Sequence, residues 1–203
     1  MGRPLSFDKN KALVNAMLVF WYQGYEATSM KDLEKATGLV PSSIYNAFGN
    51  KETFFIEILD YYAQKVLTPR VDRYLKQVDP IKAIRDFFST CFSDLPRGKS
   101  GMACLLVNTI SELAIHNPKI RRVLNKTEDA LRDNFLNCIE LAKQQNRISN
   151  QHDSLVMADQ LLITLNGLLV SSKAIKNNKK MLLACDQSLL FILGKDVQKS
   201  AHK

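Results

Sequence analysis

The stretch from Thr28 to Lys51 constrains this chain more than any other, because it has to start, stop and restart helices within a short span. Ser29 and Asp32 stand three apart, the spacing of a capping box, and so set the start of a helix over 30–37. Gly38 follows where the chain must turn sharply, since glycine enters positive φ without strain. Pro41 suits the first position of another short helix, 41–48, where its missing N–H is harmless. Met30, Leu33 and Ala36 can face a core at helical spacing, Leu39 can plug the angle, and Ile44 and Phe48 anchor the second helix from beneath. A helix over 7–23 precedes them, with Leu13, Met17, Phe20 and Trp21 on one stripe and Gly24 as its stop. The result is a trihelical head.

Burying Ile44 and Phe48 leaves Ser42, Ser43, Tyr45 and Asn46 on the other faces of a very short helix. Their hydrogen-bonding groups have the reach for phosphates and base edges, and an Asn can pair bidentately with adenine. Lys51 adds a cation beside the free N–H groups that open the next helix, which Asn50 can cap. A helix-turn-helix commonly presents the second of its two helices to the major groove. Bland readings stand beside these: Tyr45 as a partly buried packing residue, Asn46 as a solvated one. Arg3, held between Gly2 and Pro4, is either a minor-groove arm or an unstructured tail.

The rest reads as helices with short breaks and no alternating strand, so the expected class is all-α. A long helix runs from Asn50 toward Gln77 with a disturbance near Pro69. Further helices are expected over 81–92, 102–115, 118–145, 153–175 and 179–193, with a loop at 93–101 and a frayed tail after Gly194. The reading gives a three-helix head, a connecting helix and a five-helix body. No apolar run approaches the roughly 20 residues that span a bilayer. No signal-peptide core opens the chain, so a cytoplasmic protein is expected.

The formal charge of +8 suggests nucleic acid less directly than it first suggests. Residues 1–51 carry six basic and four acidic side chains, residues 52–172 fifteen and fourteen, and residues 173–203 seven and two. Most of the excess lies at the far end from the helix-turn-helix. Cys91, Cys104, Cys138 and Cys185 lack metal-ligand spacing, so no metal and no cofactor are expected. With three histidines, no metal-spaced cluster and no glycine-rich phosphate loop, an enzyme is not expected either.

The order T-S-M-x-D-L, followed by A-x-G-L-x-x-x-x-I-Y-x-x-F-x-N-K-E, resembles the DNA-binding signature of the TetR (tetracycline-repressor-like) family. The aromatic-glycine-aromatic lead from Phe20 to Tyr25 is similar to the family's entry into the second helix. The resemblance implies that Thr28, Tyr45 and Lys51 contact phosphates, and that positions around Pro41, Ser42 and Asn46 meet bases. Ser43, Lys31 and Arg3 complete the expected DNA-binding set. Val40 departs from the pattern, standing where many members have a Ser or Thr cap.

The resemblance further implies a DNA-binding domain over 1–50 and a ligand-binding and dimerisation domain over 51–203. The partners would be double-stranded DNA, a second copy joined through helices 153–175 and 179–193, and a small-molecule inducer. Leu155, Ala158, Leu161, Leu162, Leu165, Leu168 and Leu169 on one helix and Leu182, Cys185, Leu189 and Ile192 on the next are candidate contacts between copies, unless they pack within one body. Phe87, Phe88, Phe92, Met102 and Leu165 would line an apolar site, with Asn108, Glu112 and Asn134 as polar handles. Cys104 belongs to the same set, and an alternative makes it a redox or electrophile sensor.

Overall fold

The structure, a computed structural model, describes residues 7–93, 104–175 and 177–194; Arg3 and Met102 lie outside them. Among the described residues every regular element is helical. In order these are α1 (Lys9–Gln23), α2 (Met30–Thr37), α3 (Pro41–Phe48), α4 (Lys51–Tyr62), a π-helical turn (Ala63–Leu67), α5 (Thr68–Tyr74) and α6 (Pro80–Ser93). After residues 94–103, which lie outside the described residues together with most of the expected 93–101 loop, come α7 (Leu105–Leu113), α8 (Pro118–Gln144), α9 (Ser154–Ser172) and α10 (Asn178–Leu193). The disturbance expected near Pro69 is the π turn just before it. Pro69 cannot donate to the carbonyl four residues back and its ring crowds it, so the helix widens upstream.

The described residues fall into two compact units. The first holds α1–α4, α7 and the Pro118–Leu124 start of α8. Its core joins Leu13, Met17 and Phe20 of α1 to Leu33 of α2, Ile44 and Phe48 of α3, and Phe54, Phe55 and Ile58 of α4. Rings interlock there: Phe20 meets Phe55 at 4.6 Å, Phe48 stacks on Phe54 at 4.0 Å, and Trp21 stands edge-on to Tyr62 at 5.2 Å. Each such buried side chain is worth about 1.5–3 kcal/mol relative to exposure.

The second unit holds α5, α6, α9, α10 and the remainder of α8. Phe87, Phe88 and Phe92 of α6 are buried, the first two against Phe135 of α8 at 5.7 and 5.8 Å. Met157, Ala158, Leu161, Leu165 and Leu169 of α9 and Met181, Cys185, Leu189 and Leu193 of α10 are also buried. Most of the residues proposed from sequence as contacts between copies therefore lie in this core. The apolar residues left outside are Leu155, Val156, Ile163 and Val170 on α9, with Leu183 and Phe191 on α10.

α9 is long and apolar enough to cross a membrane by length and composition, although its sequence breaks the apolar run with Asp159, Gln160 and Asn166. Its buried positions recur every three or four residues, the pattern of a helix seated along one side of a helical core.

Candidate nucleic-acid interface

The first unit builds its exposed polar face from the capping and turn residues upward. Ser29 N–H donates to Asp32 Oδ2 at 2.9 Å, and Asp32 N–H to Ser29 Oγ at 3.2 Å, closing the capping box at the start of α2. The Ser29 hydroxyl, which donates to the same carboxylate oxygen at 2.6 Å, and then the Ser29 N–H hold the Asp32 carboxyl below its usual range. At the other end Gly38 takes the left-handed conformation (φ 71°, ψ 14°) and its N–H donates to Glu34 O at 2.8 Å. The chain then enters α3 through Val40, which caps it with no side-chain bond and is 60% exposed.

With Ile44 and Phe48 turned inward, Pro41, Ser42, Tyr45 and Asn46 are exposed and Ser43 is half-buried. Tyr45 is 52% exposed, so it is not the packing residue of the bland reading. Lys31 is exposed on α2. Lys51 opens α4 with its ammonium 4.3 Å from the centre of the Tyr25 ring, a cation–π contact that places the charge without neutralising it. Burial, and then Glu52 and Glu26, raise the pKa of the Tyr25 hydroxyl and keep that ring neutral.

Thr28 differs from what the family resemblance implies. It is 1% exposed, its hydroxyl donates to Gly24 O at 2.6 Å, and its N–H donates to Tyr25 O at 3.2 Å. Both donors are spent inside the turn that joins α1 to α2. Glu112 of α7 completes that turn: its carboxylate accepts the N–H groups of Tyr25 at 3.0 Å and Glu26 at 2.7 Å. Gly24, at φ 83° and ψ 171°, sits under this carboxylate, and a Cβ there would lie 3.0 Å from Glu112 Oε2. A second carboxylate, Glu52 of α4, accepts from Lys119 Nζ at 2.8 Å and Asn117 Nδ2 at 2.7 Å, and these bonds, Lys119 first, lower its pKa. Sequence reasoning placed Glu112 as a ligand handle and passed over Glu52; nothing local marks either as a partner of residues so distant in the chain.

The remaining candidates for a ligand site are distributed between the units. Phe87, Phe88, Phe92 and Leu165 are buried in the second, where Asn134 donates to Ala130 O at 2.7 Å. In the first, Asn108 has a buried amide oxygen that accepts no hydrogen bond from the described residues. Cys104 is half-buried, and the Tyr62 hydroxyl donates to its sulfur at 3.3 Å. The Cys138 and Cys185 thiols are pushed up to about 11 and about 12, chiefly by burial, and so stay in the unreactive thiol form.

A short helix pinned to its core from beneath, preceded by a capped partner and a left-handed turn, defines a helix-turn-helix DNA-binding regulator. The family model for bacterial regulatory proteins of the tetR family matches residues 12–58, and that for the tetracyclin repressor-like C-terminal domain matches residues 80–187. The chain belongs to the TetR family of transcriptional regulators. It is 30% identical to the transcriptional repressor ComR of Escherichia coli, over 85% of this chain and 82% of that protein. The repressor DhaR of a Mycobacterium species is 22% identical over 80% of this chain and 81% of its own length. Among solved structures, a cysteine mutant of the TetR family regulator CifR, complexed with 26-bp double-strand operator DNA, matches with a TM-score of 0.80. That match has 25% identity and covers 93% of this chain and 98% of the other.

Proposed function

We propose that this regulator is a homodimeric repressor that reads a palindromic operator with α3 and is released by a small-molecule inducer. The observation that carries the reading is the exposed hydrogen-bonding face of α3, set rigidly over Ile44 and Phe48. Pro41, Ser42 and Asn46 meet base edges, Ser43 and Tyr45 serve phosphates, and Lys31 and Lys51 add charge. Arg3 reaches the neighbouring minor groove. Thr28 acts from inside as a positioning residue for the turn into α2. Repression as the sign of control is supported by the names of ComR and DhaR, both repressors.

Residues 1–50 are assigned to DNA reading and 51–203 to dimerisation and ligand binding. Two copies join through α9 and α10, using the apolar residues that each leaves outside. Val156, Ile163 and Val170 stand seven apart on α9, and Gly167 shares their exposed face with no atom near its missing Cβ. A facing helix could approach closely there. The buried acceptor of Asn108 supports a ligand that brings a hydrogen-bond donor, and Phe87, Phe88, Phe92 and Leu165 are kept as the apolar candidates of the second unit. Asn134 is kept as a second polar handle, whereas Glu112 is already occupied by the turn it caps. The inducer favours the conformation with wrongly spaced heads, and DNA affinity falls by linkage.

The test is selection of bound fragments from genomic DNA, followed by gel retardation of a selected duplex at rising salt. A specific complex of two subunits per site, weakening steeply with salt, is expected. Failure to retard any selected duplex overturns the reading.

A further inference from the structure

α8 is divided by charge in a way that its own stability does not explain. From Pro118 to Lys126 it holds Lys119, Arg121, Arg122 and Lys126 and no acid; its acids begin at Glu128 and continue with Asp129, Asp133 and Glu140. Cations at a helix N-terminus oppose the helix dipole, so this order runs against local preference. The start of the helix is satisfied otherwise, by Asn117 Oδ1 accepting the N–H groups of Lys119 and Ile120, each at 3.1 Å. Nor is the cluster a sample of its surroundings. Residues 52–172 carry fifteen cations against fourteen acids, and without these four that region would be net negative.

All four side chains are exposed, while Ile120 and Leu124 turn inward. Lys119, Arg122 and Lys126 recur at spacings of three and four and form one stripe. Of these four, only Lys119 has an ion-pair partner among the described residues, Glu52 at 2.8 Å. That partner fixes where the stripe begins. Glu52 follows Lys51 at the start of α4, just beyond the end of α3, and Asn117 holds its other oxygen. The stripe therefore begins at the edge of the helix-turn-helix: Lys119, Arg121 and Arg122 lie within the same compact unit, and Lys126 follows one turn further along the same helix, past the end of that unit at Leu124.

We propose that this basic face of α8 is a second DNA-contact surface, binding the phosphate backbone of the duplex that flanks each half-site. The proposal rests on the reading of α3 as the operator-contacting helix. Lysine and arginine on an exposed stripe with no base-reading geometry supply affinity, on-rate and salt dependence rather than sequence choice. The occupant is duplex DNA because the stripe is continuous with the nucleic-acid face and matches the sign of its backbone.

The experiment uses the full chain and two duplexes: a selected operator trimmed to its half-sites, and the same operator extended at each end by about one helical turn, roughly 10 bp. Wild type should bind the extended duplex more tightly and with a steeper salt dependence. Arg121→Ala/Arg122→Ala/Lys126→Ala should lose that advantage, its slope of log K against log salt becoming shallower by about 2–3 per subunit bound. On the trimmed duplex it should match wild type within about twofold, which also reports that it is folded. Arg121→Lys/Arg122→Lys, which keeps the charge, should retain the flank dependence. Identical salt slopes for wild type and the alanine variant on both duplexes would overturn the proposal. So would an equal loss on the trimmed and extended duplexes, which would point to a partner or role unrelated to the flanks. Asn46→Ala reports on α3 separately, since it should weaken both lengths alike and keep the flank dependence.

Discussion

The insides of the two compact units are alike and their outsides are not. Both cores are rich in phenylalanine, with Phe20, Phe48, Phe54 and Phe55 in one and Phe87, Phe88, Phe92 and Phe135 in the other. On the surface the first unit shows hydrogen-bonding groups on α3 and a run of cations at the start of α8, whereas the second adds a row of apolar side chains along α9 and α10. Ile163 is 70% exposed and Phe191 is 87% exposed. Single exposed apolar residues are ordinary, but a row of them along α9, with more on α10, calls for an apolar partner. Cores define the fold, and the contrast between surfaces supports the partners proposed above: nucleic acid for one unit, a second copy of the chain for the other.

The largest effect should come from erasing the contrast on the second unit. Ile163→Glu/Phe191→Glu gives that surface a charge no dimer could bury, and the protein should become monomeric by sedimentation velocity. Operator affinity should fall by about 10²–10⁴-fold with the loss of linked binding at two half-sites. A double variant that stays dimeric would break the assignment of this face.

Smaller effects should follow in the first unit. Asn46→Ala should cost about 1–3 kcal/mol of discrimination for the selected operator while leaving binding to unrelated duplex nearly unchanged, read by competition in fluorescence anisotropy. Equal losses on both would reduce Asn46 to a backbone contact. Gly24→Ala sharpens the comparison from within the core. Its φ of 83° with ψ of 171° is a region essentially reserved for glycine, and the new Cβ would press on Glu112 Oε2. The cost should be about 1–3 kcal/mol of stability in urea melts. Glu112→Ala on top of it should relieve the contact but not the backbone strain.

The head was legible because its signals are local. Ser29 and Asp32, Gly38 and Pro41 each act within a few residues, and the expected bounds of α2 and α3 coincide with the observed ones. The polar face of α3 followed by subtraction once Ile44 and Phe48 were assigned to the core. What escaped depends on residues far apart in sequence. The grip of Glu112 on the N–H groups of Tyr25 and Glu26, and of Asn117 and Lys119 on Glu52, involves partners that no spacing rule relates. The apolar stripes of α9 and α10 were visible, but two faces of such a helix look alike in sequence. Leu161 and Leu165 went inward and Ile163 stayed out because α6 and α10 cover only one side of α9.

The finest test sets the two helix starts of the head against each other. α2 begins with a reciprocal capping box, and α3 begins with Val40 and no side-chain cap. Ser29→Ala should destabilise the protein by about 1 kcal/mol, and Val40→Ser should stabilise it by about 0.5–1 kcal/mol by supplying the missing acceptor. The two should also differ in acid. Bonds from Ser29 hold the Asp32 carboxyl below its ordinary value, so their contribution is present above the usual carboxylate range and is lost as pH falls through the lowered value. The Ser29→Ala deficit should therefore shrink in melts taken below about pH 4, whereas the Val40→Ser gain, which involves no titrating group, should not change. A gain at Val40 that disappears in acid would mean that the new serine had found a carboxylate partner instead of the N–H groups of α3.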